Sequence, residues 1–175
     1  YFENSGLTDI DTDMPIYKPS KRIGDAVNNV SISYINKKPI ITTPGKWYPD
    51  FKNSTFENPE IISAPDIKEF FFKEINTRSY QWQFVDFNGN GILDLMVGIG
   101  VWGPRDHVGS EYYGWDNAYD KDGKWTNGPL HGYIYLIENE GSNKIPEYKD
   151  PIQLINTDGS PLNVYGRPSP NFVDF

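Results

Sequence analysis

The sequence predicts an all-β chain of short strands joined by many turns. Tyr80-Gln81-Trp82-Gln83-Phe84 alternates apolar and polar residues with period two, and Ile92 to Val101 is an apolar run interrupted by Gly98 and Gly100. In addition, 16 Gly and 14 Pro in 175 residues, with 15% aromatics, suit short strands joined by many turns. No long helical period competes: the best stretch, Ile67 to Glu74, also reads as a strand. The chain is long enough to bury a respectable core.

Taken in order, residues 1–19 read as the end of one structural unit. Residues 20–66 hold a strand pair and a loop-rich stretch. The strands are Val30 to Tyr34 and Ile40 to Thr43, joined by a Lys37-Lys38-Pro39 turn, and Trp47, Tyr48, Phe51 and Phe56 stand among prolines and polar residues from Pro44 to Pro65. Residues 67–150 form the clearest unit, with a loop at 86–94 and an insertion at 102–130. Residues 151–175 read as a connection and the start of a further unit.

The loop is the strongest chemical signal. Asp86-Phe87-Asn88-Gly89-Asn90-Gly91-Ile92-Leu93-Asp94 places side-chain oxygens at positions 1, 3, 5 and 9 around a glycine at 6. Calcium takes about six to eight oxygens, and Asp86, Asn88, Asn90, Asp94 and the carbonyl of Ile92 supply most of them, with water completing the shell. The helical EF-hand loop is excluded, because its twelfth position requires a bidentate Glu and here is Val97. An Asn-Gly hairpin turn explains the middle of the loop. It does not need Asp at both ends.

Phe84 to Gly98, with this loop at its centre, resembles the core of the FG-GAP/VCBS repeat, and Gly132 to Gly141 is similar to the strand and turn that close such a repeat. The resemblance implies β-propeller blades, about two repeats of a larger propeller, with a calcium loop between two strands of a blade. It also implies an extracellular, periplasmic or cell-surface location. Where the family most often carries Asp, this chain has Asn88 and Asn90, so weaker calcium affinity is expected.

Internal repetition supports the same organisation. Tyr1-Phe2-Glu3-Asn4-Ser5-Gly6 echoes Leu136-Ile137-Glu138-Asn139-Glu140-Gly141, and Pro15-Ile16-Tyr17 echoes Pro146-Glu147-Tyr148. Phe172-Val173-Asp174-Phe175 repeats Phe84-Val85-Asp86-Phe87. A propeller needs about four to eight blades to close, so the sequence reads as a segment whose partners include the remaining blades of the same protein.

The insertion is too long for a hairpin turn, and loops beyond about 12 to 15 residues in compact domains are commonly functional or disordered. Its density of Trp102, Tyr112, Tyr113, Trp115 and Trp125 argues against disorder. Flat rings with nearby acids and amides suit recognition of a glycan or polysaccharide, the rings stacking on apolar sugar faces; the same rings also suit packing of a long insertion on itself. Carbohydrate binding is therefore the first functional expectation. The second is a polysaccharide lyase or glycoside hydrolase, with His107, His131, Tyr113 and Arg105 as catalytic candidates: the first three for proton transfer, Arg105 to neutralise a uronate carboxylate. Asp106, Glu111 and Asp116 offer carboxylates for hydrolysis. A structural, hydrogen-bonded His131 and a protein-interaction or adhesion propeller stand beside these readings. Asp116 to Gly123 invites a second metal site, but Asp122-Gly123 is also an ordinary turn, the favoured reading.

Composition excludes other classes. A net charge of −8 and a pI near 4.7, without clustered Lys or Arg, argue against nucleic acid. No apolar run approaches the roughly 20 residues of a spanning helix. The absence of cysteine removes disulfide and thiol chemistry.

Overall fold

The computed structural model describes residues 1–54, 56–71, 76–102, 119–124 and 130–170. These residues form an all-β structure of three antiparallel sheets with two short helical turns. No closed propeller is present among them.

The main sheet is a meander of β7 (Asn76–Val85), β8 (Asp94–Trp102) and β9 (Leu130–Ile137). β10 (Ile152–Gln153) and β11 (Asn163–Val164) pair successively along the other side of β9. β8 is central and buried on both faces from Asp94 to Val101. That is why its sequence is a continuous apolar run, whereas a strand with one wet face would alternate. β7 does alternate in chemistry, yet Trp82 and Gln83 are both buried. Within residues 151–164, β10 and β11 extend this sheet, because the outer side of β9 offers backbone groups that two short strands satisfy.

The glycines in these strands are sites of close approach. A Cβ on Gly98 would lie 2.2 Å from the Pro168 carbonyl oxygen, and one on Gly132 would lie 2.7 Å from Pro168 Cδ. The strand-free segment after β11 thus crosses β8 and β9 where side chains are missing.

The second sheet runs in sequence order through β3 (Ser31–Ile35), β4 (Lys38–Thr43), β5 (Lys46–Tyr48) and β6 (Glu60–Ile61). The β3–β4 turn is Asn36-Lys37, not Lys37-Lys38-Pro39. Both residues have positive φ, 50° and 62°, the primed-turn conformation whose twist matches a two-residue hairpin. Pro39 therefore sits inside β4, opposite Tyr34. The stretch from Pro44 to Pro65, expected to be loop-rich, contributes β5, β6 and α1 (Phe51–Ser54). Ile67 to Glu74 is not a strand at its start: α2 spans Ile67–Phe71. Asp66 caps this turn, accepting the Lys68 N–H at 2.9 Å, while Ile67 is fully buried.

The two larger sheets are joined through polar and aromatic contacts. Ser31 Oγ donates to Gln81 Oε1, Thr42 Oγ1 donates to the Trp82 carbonyl, and the Phe84 N–H donates to Ser33 Oγ at 3.0 Å. Trp47 meets Phe84 edge to face, with ring centroids 5.8 Å apart. The main core gathers Ile62, Ile67, Trp82, Leu95, Ile99 and Tyr135, among others. Ile41, Tyr48 and Phe51 form a smaller one.

The third sheet is the hairpin of β1 (Asn4–Thr8) and β2 (Pro15–Tyr17). Here the sequence repeat becomes a structural one. Asn4 pairs with Tyr17 as Asn139 pairs with Tyr148. Lys18 N–H donates to the Glu3 carbonyl at 2.8 Å, and Lys149 N–H to the Glu138 carbonyl at 2.9 Å.

Candidate metal centre

Val85 and Asp94 face each other across the β7–β8 ladder, so 86–93 is the hairpin loop that joins those strands. Its backbone must turn back twice, and Gly89 and Gly91 meet that need with φ of 74° and 82°. Side-chain oxygens brace the turn from within. Asn88 Oδ1 accepts the Asn90 N–H at 3.1 Å, Asn90 Oδ1 accepts the Ile92 N–H at 2.7 Å, and Asp86 Oδ2 accepts the Gly91 N–H at 2.9 Å. Such local bonds are what Asn and Asp offer a loop in place of a ladder.

The loop is seated on a frame that sequence reasoning did not assign. Asn139 N–H donates to Asp94 Oδ1 at 2.9 Å, and Asn139 Nδ2 donates to the Leu93 carbonyl at 3.2 Å. Asn139 Oδ1 in turn accepts the Gly141 and Glu147 N–H groups, at 3.0 and 2.9 Å. Asn143 clasps the same loop: its Oδ1 accepts the Leu93 N–H at 2.7 Å and its Nδ2 donates to the Gly91 carbonyl at 2.9 Å. The signal that pointed to Asn139 was the repeated Glu-Asn-x-Gly, present at Glu3 to Gly6 and Glu138 to Gly141. Nothing comparable marked Asn143.

Asp94 is 1% exposed, and besides Asn139 its carboxylate accepts the Phe87 N–H through Oδ2 at 3.3 Å. A buried carboxylate held by amide donors is the expected solution when a charge leaves water. Its field reaches Tyr148, whose hydroxyl is pushed up to about 12, first by burial and then by the Asp94 charge.

The donor set fits a hard cation. Asp86, Asn88, Asn90, Asp94 and the Ile92 carbonyl contribute oxygen alone, and each oxygen engaged by one amide keeps a second lone pair. Two carboxylates carry the negative charge, and no cluster of three or more His, Cys, Asp or Glu occurs among the described residues. With so few charges, such a loop would hold a cation weakly.

The other expected site residues are placed differently. Trp102 pairs with Leu130 at the end of the β8–β9 ladder, so the insertion leaves and re-enters the sheet at one point. Arg105, His107, Tyr112, Tyr113, Trp115 and Trp125 lie outside the described residues. His131 sits in β9 opposite Val101, 2.8 Å through Nδ1 from Asn163 Nδ2, with its ring stacked on Tyr133 at 5.6 Å. Residues 120–124 form a turn: the Gly123 N–H bonds the Asp120 carbonyl at 3.0 Å, and Asp120 Oδ1 accepts the Asp122 and Lys124 N–H groups, both at 2.9 Å. Beside the 86–94 loop, a cavity of about 180 Å³ opens between the larger sheets, lined in part by Trp47, Phe84, Leu93, Asn143 and Tyr148.

Comparison with protein-family models, curated proteins and solved structures found no match.

Proposed function

We propose that the chain is a calcium-stabilised β-propeller unit of the FG-GAP/VCBS type, acting outside the cytoplasm and binding carbohydrate through its aromatic-rich insertion. The observation that carries the calcium part is the 86–94 loop, whose oxygens alternate around two glycines in the left-handed region and whose terminal carboxylate is buried against the Asn139 frame. A cation that binds only the folded chain stabilises it by mass action, by about 2.7 kcal/mol at a concentration a hundredfold above Kd. Isothermal titration calorimetry with calcium, and thermal melting with and without a chelator, test it. Calcium uptake and a chelator-induced fall in Tm are expected, and both should vanish in Asp86→Ala. An unchanged Tm and no heat of binding in the wild type overturn the calcium assignment.

The carbohydrate part rests on the sequence of the insertion, where length and rings coincide. Trp102 and Leu130, which bound it, face each other at the end of the β8–β9 ladder. Ala substitution at Tyr113, Trp115 and Trp125, probed on a glycan array and by melting, separates binding from packing. Loss of about 1 kcal/mol or more of glycan affinity with an unchanged Tm is the expected result. Destabilisation by each substitution, with no glycan bound by the wild type, favours an interaction scaffold.

A further inference from the structure

Hairpin β1–β2 and the turn at 138–149 are two copies of one device, and only the second is covered. In the second copy, Ile137 and Asn139 are 0% and 5% exposed. Leu95 of β8 pairs with Ile137, and the Asp94 carboxylate at the end of the 86–94 loop receives the Asn139 N–H. In the first copy the equivalent of Ile137 is Phe2, 67% exposed, and the equivalent of Tyr148 is Tyr17, 54% exposed. Asn4, the equivalent of Asn139, is exposed.

The bonding geometry of the frame is preserved without its occupant. Lys18 N–H donates to the Glu3 carbonyl, so Asn4 and Tyr17 form the kind of antiparallel pair that exchanges no ladder bonds. The Asn4 N–H therefore points away from β2, just as the Asn139 N–H points away from Tyr148 and toward Asp94. Asn4 Oδ1 accepts the Gly6 N–H at 2.8 Å, matching the Asn139–Gly141 bond at 3.0 Å. The equivalent lysines each form an ion pair, but with glutamates at different positions of the repeat, Lys18 with Glu3 and Lys149 with Glu140.

We propose that the hairpin at residues 1–18 is a docking site for a second loop of the 86–94 kind, one that ends in a carboxylate and leads into an apolar strand. The second copy displays the occupant such a frame takes, and the chemistry is complementary: an outward amide donor on the hairpin meets a carboxylate on the incoming loop, and Phe2 and Tyr17 meet the strand that follows. The proposal stands on the loop and frame geometry and does not require the cation.

The test uses the full chain, isotopically labelled, titrated with a peptide of Phe84 to Leu95 cyclised through its ends, which pair in the sheet. Saturable shifts of the Asn4, Gly6 and Lys18 amides are expected. Binding should weaken about tenfold when the peptide carries Asp94→Asn, the scale of one hydrogen bond to a charged group, and should also weaken in Asn4→Ala, which keeps the backbone N–H but removes the side chain whose counterpart on Asn139 donates to the Leu93 carbonyl. Shifts confined to 138–149, or no shifts with calcium and with chelator alike, overturn the proposal. Calorimetry of the same sample with calcium reads the chain's own loop separately, so failure of docking and failure of calcium binding are distinguishable.

Discussion

Asp94 and Asp86 stand at opposite ends of one loop but hold different amounts of structure. Asp94 is buried and accepts two backbone N–H groups, one of them from the Asn139 frame. Asp94→Ala leaves these donors unpaired, which costs about 1 to 3 kcal/mol for a buried group. Chemical denaturation in chelator should therefore detect a loss of stability in Asp94→Ala and little in Asp86→Ala, whose side chain is exposed. Equal stability of the two variants in chelator contradicts the frame. Tyr148 gives a second check. Its folded hydroxyl is raised to about 12 from about 10 in the unfolded chain, so the folded state retains a proton that the unfolded state loses. That stability is fully present below about pH 10 and falls away as pH rises toward 12. Tyr148→Phe should flatten this alkaline decline in a denaturation series. An unchanged slope places the Tyr148 hydroxyl in water.

Among the elements, β8 is the strand on which the others depend, with β7 and β9 as neighbours and the 164–170 segment across its face. At Gly98 the obstacle to a side chain is the Pro168 carbonyl, a backbone atom at 2.2 Å from the Cβ position, so it gives way only if the crossing segment moves. Gly98→Ala should lower stability by about 1 to 3 kcal/mol, the usual range for overpacking, and should raise amide exchange through residues 164–170. Were Gly98→Ala to melt like the wild type with unchanged exchange, the crossing would be loose. The helix at α2 carries the same lesson on a smaller scale. Its residues suit a strand, but Asp66 starts a turn by accepting the Lys68 N–H and the turn buries Ile67. Local capping and one buried anchor decide the element.

At the scale of the whole molecule, the two larger sheets form a common body because polar side chains of β3 and β4 bond the backbone and side chains of β7. Thr42 is fully buried where its hydroxyl reaches the Trp82 carbonyl. Thr42→Val keeps the volume and removes the donor, leaving a buried carbonyl unpaired, and should cost about 1 to 3 kcal/mol. Calorimetry of that variant should lower Tm, and hydrogen exchange should rise in β3 and β4 ahead of β8. Uniform exchange across both sheets with wild-type Tm speaks against coupling through this bond. The β1–β2 hairpin takes no part in this body's core, in keeping with its exposed Phe2 and Tyr17.

The all-β class, the strands on either side of 86–94 and the spacing of the loop's oxygens were legible in the sequence alone. Those depend on period-two patterning, on a continuous apolar run and on glycines at turns, all of which are local. It also disclosed the repeat of Asn4 in Asn139, visible as a short motif. The clasp of Asn139 and Asn143 on the 86–94 loop became visible only in the folded chain, because their bonds to Gly91, Leu93 and Asp94 span about fifty residues and leave no periodic trace. The tertiary structure likewise decided that 46–48 and 60–61 are strands, that β10 and β11 join the main sheet, and that Gly98 and Gly132 exist to let a distant segment pass. Each of these depends on what lies alongside. A strand of two or three residues has no pattern of its own, and its backbone becomes a strand only where a neighbouring edge offers donors and acceptors to match.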